Sequence, residues 1–448
     1  MRFQSIIVIG LCLLANLAAA FPLRGRDDKP VPPTEDDFYT PPEGYEGKEL
    51  GAILKHRTVG NPGFLFLEAR VKEVIQIMYR SSNSSGSPMA TVTTVLIPKN
   101  ADPTKLLSYQ IYEDSSYLNC APSYGIQFQS DPGALVAQIE FLTMASALDQ
   151  GWIVNTPDYE GPNSAFTAGI LSGQATLDSI RAVLGSKNIT GVETNATVTM
   201  WGYSGGSLAS GWAAELQPKY APDLKLAGAA LGGLVPNISD VALRVNKGLF
   251  VGLVPAAFNG LAQEYPEIQE LIDKELIEEK ADDYNQVKEK CLVEYVFPFV
   301  FKDWGTYCKS GLDVLRAPAA QKVIEENTMG KNAPEIPLFI YHGQNDEVTA
   351  IENVDTVYDS WCSKDKATIE FVRDKSAEHI LETLSGAADA FNWLKDRMNG
   401  KDPKPGCNSR DTFSTLIDDG AIETFGEEIG SALKALLGHE VGPKDAAI

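Results

Sequence analysis

The sequence predicts an α/β protein in which a mostly parallel central sheet is entered through an antiparallel hairpin and interrupted by a helical insertion. Three observations predict it. Runs rich in Val, Ile and aromatic residues alternate with helical stretches from about residue 66 to 235. Near Pro236 that alternation stops, and residues 240–330 carry charged helical segments with two apolar runs, 250–258 and 295–301. Strand signals then resume at 336–341 and 368–372. Strands separated by helices need crossover connections, and crossovers make parallel pairs.

Taken in order, residues 1–20 have a positive start at Arg2, an apolar run over 6–17 and Ala18-Ala19-Ala20 before Phe21. This describes a secretory signal peptide, too short in its apolar part to span a bilayer. No later stretch reads as a transmembrane helix, so an extracellular protein without an integral membrane segment is expected. Residues 21–40 mix Pro with charge and read as a propeptide or flexible arm. Residues 68–79 and 89–97 form the hairpin, with the Ser-rich segment 81–87 as its loop. A strand at 106–112, a helix around 133–149, a strand at 152–156 and a helix at 172–185 follow. The core is assigned to 41–235 and 331–448, and 236–330 to a helical cap or lid.

Lys and Arg number 38 against 60 Asp and Glu, a net charge of -22 over 448 residues. Such a surface repels nucleic acid and anionic membranes but does not oppose neutral lipid. Of the 6 cysteines, Cys12 leaves with the signal, and the odd number remaining implies disulfides plus one thiol in an oxidising compartment. Their spacing fits no zinc site, and no metal or cofactor is expected. Sequons at Asn83, Asn188, Asn195 and Asn237 are expected glycosylation sites.

The chemistry begins at Gly202-Tyr203-Ser204-Gly205-Gly206, between a short buried strand at 198–201 and a small-residue helix at 207–216. Strand, G-x-S-x-G and helix form a nucleophile elbow, which lifts a serine hydroxyl on a tight turn. A serine needs a base, and the base needs an orienting acid. In the α/β-hydrolase order the nucleophile precedes the acid and the acid precedes the histidine, each on a loop after a strand. Of the 4 histidines, His379 lies in the loop after strand 368–372. His342 ends a strand upstream of the best acid and reads as structural; His56 precedes the serine, and His439 lies beyond the last sheet signal. Asp346 emerges after strand 336–341, at the carboxyl edge where open α/β sheets place their sites. Asp355, already helical, and Asp374, in the histidine's own loop, are its rivals. The N–H of Gly205 is one expected oxyanion donor. Asp114, in the loop after strand 106–112, is the second, although no His-Gly-Gly-Gly signature is present.

With these elements placed, the chain resembles the fungal secretory lipases, the lipase-A type of α/β-hydrolase. The likeness rests on Tyr112-Glu-Asp114, Thr156-Pro-Asp-Tyr-Glu-Gly161, the elbow at 202–206, Tyr341-His-Gly-Gln-Asn-Asp346 and Ala377-Glu-His379. It implies hydrolysis of carboxylic esters, including triacylglycerols, with Ser204, Asp346 and His379 as triad and Asp114 and Gly205 at the oxyanion. It also implies a helical lid around 235–320, a C-terminal flap within 408–448, and disulfides Cys120–Cys291 and Cys362–Cys407, which leave Cys308 unexplained. The expected partner is a lipid ester, met at a lipid–water interface by a monomer. A secreted serine peptidase of the same fold, or a non-catalytic binding protein on that scaffold, are the alternatives; apolar cap segments favour an acyl chain over a polar peptide terminus.

Overall fold

Branched and aromatic side chains pack well on a pleated surface, and the segments rich in them lie side by side in one ten-stranded sheet. This computed structural model describes residues 29–364, 366–418 and 420–443; the expected signal peptide lies outside them. In chain order the strands are β1 (Ile53–Thr58), β2 (Glu73–Ser82), β3 (Pro88–Ile97), β4 (Asp102–Gln110) and β5 (Trp152–Pro157), followed by β6 (Thr197–Tyr203), β7 (Leu226–Gly232), β8 (Leu338–Gly343), β9 (Ile369–Asp374) and β10 (Cys407–Thr412). Across the sheet they run β1-β2-β3-β5-β4-β6-β7-β8-β9-β10. The first pairings are antiparallel, and from β5 through β4 to β10 every one is parallel. The mostly parallel sheet read from the sequence is therefore the fold.

Helices α1 (Leu135–Asp149), α2 (Gly169–Leu184) and α3 (Gly205–Tyr220) flank the sheet. Between β7 and β8 the chain leaves it for α4 (Ile238–Val245), α5 (Leu253–Glu264), α6 (Pro266–Glu275), α7 (Leu292–Phe299) and α8 (Pro318–Glu326). Buried side chains of this insertion extend the core on one face of the sheet; among them Trp304 stacks on Tyr307 at 5.3 Å and meets Phe258 at 5.8 Å. After β8 come α9 (Ile351–Cys362), α10 (His379–Ser385), α11 (Ala387–Met398) and α12 (Ala421–Leu436).

Of residues 21–40, expected to be a propeptide or flexible arm, 21–28 lie outside the described residues, and 29–40 are not a loose arm but lie against the edge strand β1. The Arg57 guanidinium pairs with Asp36 at 2.6 Å and covers the Phe38 ring at 4.1 Å. Tyr39 Oη and Ser123 Oγ are hydrogen-bonded at 2.7 Å. The C-terminal segment also departs from expectation. Instead of a flap over the site, it supplies edge strand β10 and helix α12, which packs on α1 and α11.

Cys120 bonds to Cys291 and Cys362 to Cys407, with Cα atoms 5.5 and 6.0 Å apart, as the resemblance implied. Cys308 is a buried free thiol. The carboxamide oxygen of Asn237 caps α4 by accepting from Ser239 and Asp240 N–H. That of Asn83 accepts from Ser85 and Ser87 N–H in the hairpin loop, whereas Asn188 and Asn195 are exposed.

Helix α12 turns Thr424, Glu428 and Ser431 inward and exposes Ile422, Ile429 and Leu433. Burial alone pushes the Glu428 carboxyl up to about 8, and its Oε1 has no hydrogen-bond partner. A carboxyl raised on folding destabilises progressively as pH climbs from its unfolded value to its folded one. Glu428→Gln should therefore match the parent near pH 4 and melt higher, by about 2 °C, at pH 8. Thermal melts across that range check it, and an equal shift at both pH values would rule it out.

Candidate active site

Ser204 sits between the end of β6 and the first residue of α3, at φ 50° and ψ -121°. That left-handed backbone is costly for a residue with a Cβ, and strain of this kind persists where the surroundings fix it. The surroundings here are tight. A Cβ on Gly202 would come within 2.1 Å of the Gly206 carbonyl oxygen, and one on Gly206 within 1.9 Å of the Gln110 carbonyl oxygen. Only glycine fits at either position, which is why the elbow is written G-x-S-x-G.

His379 Nε2 lies 2.8 Å from Ser204 Oγ, and His379 Nδ1 lies 2.6 Å from Asp346 Oδ2. The other carboxylate oxygen of Asp346 accepts from Val348 N–H at 2.8 Å and Thr349 N–H at 2.7 Å. The backbone that carries these side chains is held as well. Glu347 Oε2 accepts the His379 backbone N–H at 2.8 Å, and the Tyr203 hydroxyl donates to the His379 carbonyl at 2.5 Å. From the insertion, Arg244 Nε donates to the Asp346 carbonyl at 2.9 Å.

Burial works against charge on Asp346, yet His379, His342 and the Thr349 N–H outweigh it and hold the carboxyl at about 2. Burial likewise opposes protonation of His379, and the Asp346 carboxylate overcomes it, raising the imidazole above its ordinary value. An ionised acid beside a more basic imidazole is what a serine base requires.

Asp114 has a left-handed backbone, φ 44°, and its carboxyl lies against the elbow: a Cβ on Gly205 would come within 1.8 Å of Asp114 Oδ1. Burial raises this carboxyl to about 7, with His379 opposing. Gly205 N–H opens α3, where helical amides have no acceptor within the helix. Behind Asp114 the segments 112–114 and 156–161 meet. Glu113 and Glu160 are buried there, and burial reinforced by neighbouring carboxyls pushes both far above the carboxylate range.

The rivals have other partners. Asp355 accepts from Arg373 at 2.8 Å. Asp374 accepts from the N–H groups of Ser376 and Thr415, each at 2.8 Å. His342 is buried with Nε2 3.0 Å from the Thr349 carbonyl and 3.3 Å from Asp346 Oδ2, so it lies against the acid, and His56 and His439 are exposed. Sequence reading missed Tyr203, Arg244 and Glu347, whose roles depend on contacts no local pattern encodes; Tyr203 at least stood inside the elbow pentapeptide. Among the described residues no group of three His, Cys, Asp or Glu side chains could hold a metal ion.

Ser204, Asp114 and His379 open onto a cleft of about 880 Å³ lined mostly by apolar groups such as Val136, Leu292, Val296 and Phe297, with Tyr112, Tyr203 and Thr383 beside them. A second space of about 470 Å³ shares Asp114, Ser204, Leu253 and Val348 with it. A third, of about 400 Å³, shares Ile238, Ala242, Val254 and Ala257 with the second and reaches Ile268 and Leu315. The three lie next to one another, walled by shared side chains, and follow the insertion from the Ser204 hydroxyl past α4 and α5. No residue of 408–443 lines them.

A family model described as secretory lipase matches residues 126–406. The chain is 41% identical over 432 residues to Lipase A of Arthroderma benhamiae, covering 95% of this chain and 92% of that one. It is 44% identical over 424 residues to Lipase 4 of Candida albicans, covering 92% of each. Among solved structures, lipase A of Candida antarctica in its closed state superimposes with a TM-score of 0.82 at 28% identity, over 93% of this chain and 99% of that one. A rice cell wall degrading esterase from Xanthomonas oryzae, at 15% identity and a TM-score of 0.61, shares the fold.

Proposed function

The chain belongs to the secretory lipase family, and from that premise we propose that Ser204, His379 and Asp346 hydrolyse lipid esters through an acyl-enzyme. It is a lipase, a carboxylic ester hydrolase. The observation that carries the site assignment is the 2.8 Å contact of Ser204 Oγ with His379 Nε2 in the wall of a mostly apolar cleft.

His379 takes the proton as Ser204 Oγ attacks the ester carbonyl, and Asp346 stabilises the imidazolium. The N–H groups of Gly205 and Asp114 receive the developing oxyanion, where losing one donor costs about 3 kcal/mol. The alkoxide leaves with the proton from His379, and water then releases the acid by the reverse steps. The acyl chain occupies the mostly apolar cleft beside Ser204, which the insertion 236–330 covers as a cap.

Residues 1–20 direct export, and the enzyme works outside the cell as a monomer, with glycans at Asn83, Asn188, Asn195 and Asn237. It meets substrate at a lipid–water interface. Exposed Phe297 in the cleft wall, and exposed Leu381 and Leu384 flanking the cleft residues Ile380 and Thr383, support that reading. Among the described residues no helix is long and apolar enough to cross a membrane.

Emulsified triolein, soluble p-nitrophenyl butyrate and a peptide p-nitroanilide test the assignment together. Both esters should be hydrolysed, with the triolein rate climbing as emulsion surface is added, and the anilide left intact. Comparable kcat/KM on the anilide, or no release of oleate, would overturn it.

A further inference from the structure

The loop that carries Asp114 is fastened to the helical insertion. The Tyr295 hydroxyl, from α7, donates to the Asp114 carbonyl. Ser115 Oγ donates to the Lys290 carbonyl at 3.3 Å and Ser116 Oγ to that of Val287 at 3.1 Å. Asn259 of α5 donates to Ser116 Oγ at 2.9 Å, and the disulfide Cys120–Cys291 closes the same seam.

This seam bears on the one conformational liability of the loop. Asp114 holds φ at 44°, a region that costs an L-residue about 1–2 kcal/mol. Rotation about its N–Cα bond decides where its N–H points relative to the rest of the residue. A partner that pins the carbonyl restricts the two torsions that separate it from the N–H, and so limits the directions the N–H can take. Tyr295 is fully buried, and burial keeps its phenol protonated, so it is a fixed donor. A buried hydrogen bond of this kind has no water to replace it when lost.

We propose that Tyr295 is a positioning residue for catalysis, its hydroxyl holding the Asp114 backbone so that the cap forms a working part of the oxyanion hole. The inference rests on the reading of Asp114 as an oxyanion donor. It also means that the 287–295 end of the insertion stays seated during turnover, because lifting it would release the Asp114 carbonyl.

Tyr295→Phe keeps the ring and removes the donor. On p-nitrophenyl butyrate it should lower kcat about tenfold with KM within twofold, because the lost contact acts in the transition state. The affinity for a trifluoromethyl ketone, which forms a tetrahedral oxyanion on Ser204, should weaken by the same factor. A hydroxyl with a structural role only would lower the melting temperature and leave both readings unchanged; that outcome overturns the inference. Should Tyr295→Phe fail to fold, Ser116→Ala cuts the loop from Val287 and Asn259 and must give the same paired loss on a smaller scale, or the inference fails. If the ketone binds the parent no more tightly than substrate does, the reading of the oxyanion site itself is at fault.

Discussion

Ser204→Ala loses ester turnover by about 10,000-fold or more while the protein stays folded. The magnitude follows from how a triad works: its members act as a unit, and without the nucleophile only binding and the oxyanion donors remain. The side chain of Ser204 has little to do with stability. Its hydroxyl stands at the cleft wall, bonded to His379 Nε2 at 2.8 Å, and the strained backbone beneath it is enforced by the glycine contacts of Gly202 and Gly206. Removing one hydroxyl changes neither. The measurements are kcat on p-nitrophenyl butyrate, labelling by a fluorophosphonate, and the melting temperature, which should move by less than about 2 °C. A folded variant that keeps near-parental turnover, or still takes the label, ends the assignment of the nucleophile.

Asp346→Asn should lower kcat about 1,000- to 10,000-fold, although it is nearly isosteric. The reason lies in which groups face each oxygen. Val348 and Thr349 N–H both point at Oδ1, so the amide oxygen of an asparagine is drawn to that side. Its NH2 then faces His379 Nδ1, which must act as an acceptor, and the ring proton moves to Nε2. A ring protonated at Nε2 donates toward Ser204 Oγ and cannot receive its proton. The variant should also titrate differently. The parent carboxyl, held at about 2, contributes stability above its ordinary value near 4 that is lost as pH falls toward 2. An amide at this position does not titrate, so the variant has no such acid limb. Melts between pH 2 and 5, taken with kcat at neutral pH, check both halves; a variant within tenfold of parental kcat would show that the tautomer is set by something else.

Much of the site could be read from the chain because its placement is local. Each member of the proposed triad follows a strand by a few residues: Ser204 after β6, Asp346 after β8, His379 after β9. Strand period and turn residues announce those loops without any knowledge of packing. Other elements carried no such signal. Strand β10, Cys407–Thr412, is polar and mostly exposed, so it lacks the alternation by which strands are recognised, and it exists because β9 offers a parallel partner. Residues 29–40 look like a loose arm in composition, yet Arg57 and Ser123 give Asp36, Phe38 and Tyr39 specific partners. Helix α12 is amphipathic with its apolar face outward, the reverse of what a buried stripe predicts.

By itself the sequence determined the α/β class, the order of nucleophile, acid and base, and the interruption of the sheet by helices, since all of these are written in short-range period and spacing. Tertiary structure alone decided that Tyr295 meets Asp114 across 181 residues, that Arg244 meets Asp346, and that apolar side chains of the insertion wall the cleft beside Ser204. Those contacts depend on how the insertion settles on the sheet edge, and long-range packing of that kind leaves no periodic trace in the chain that achieves it.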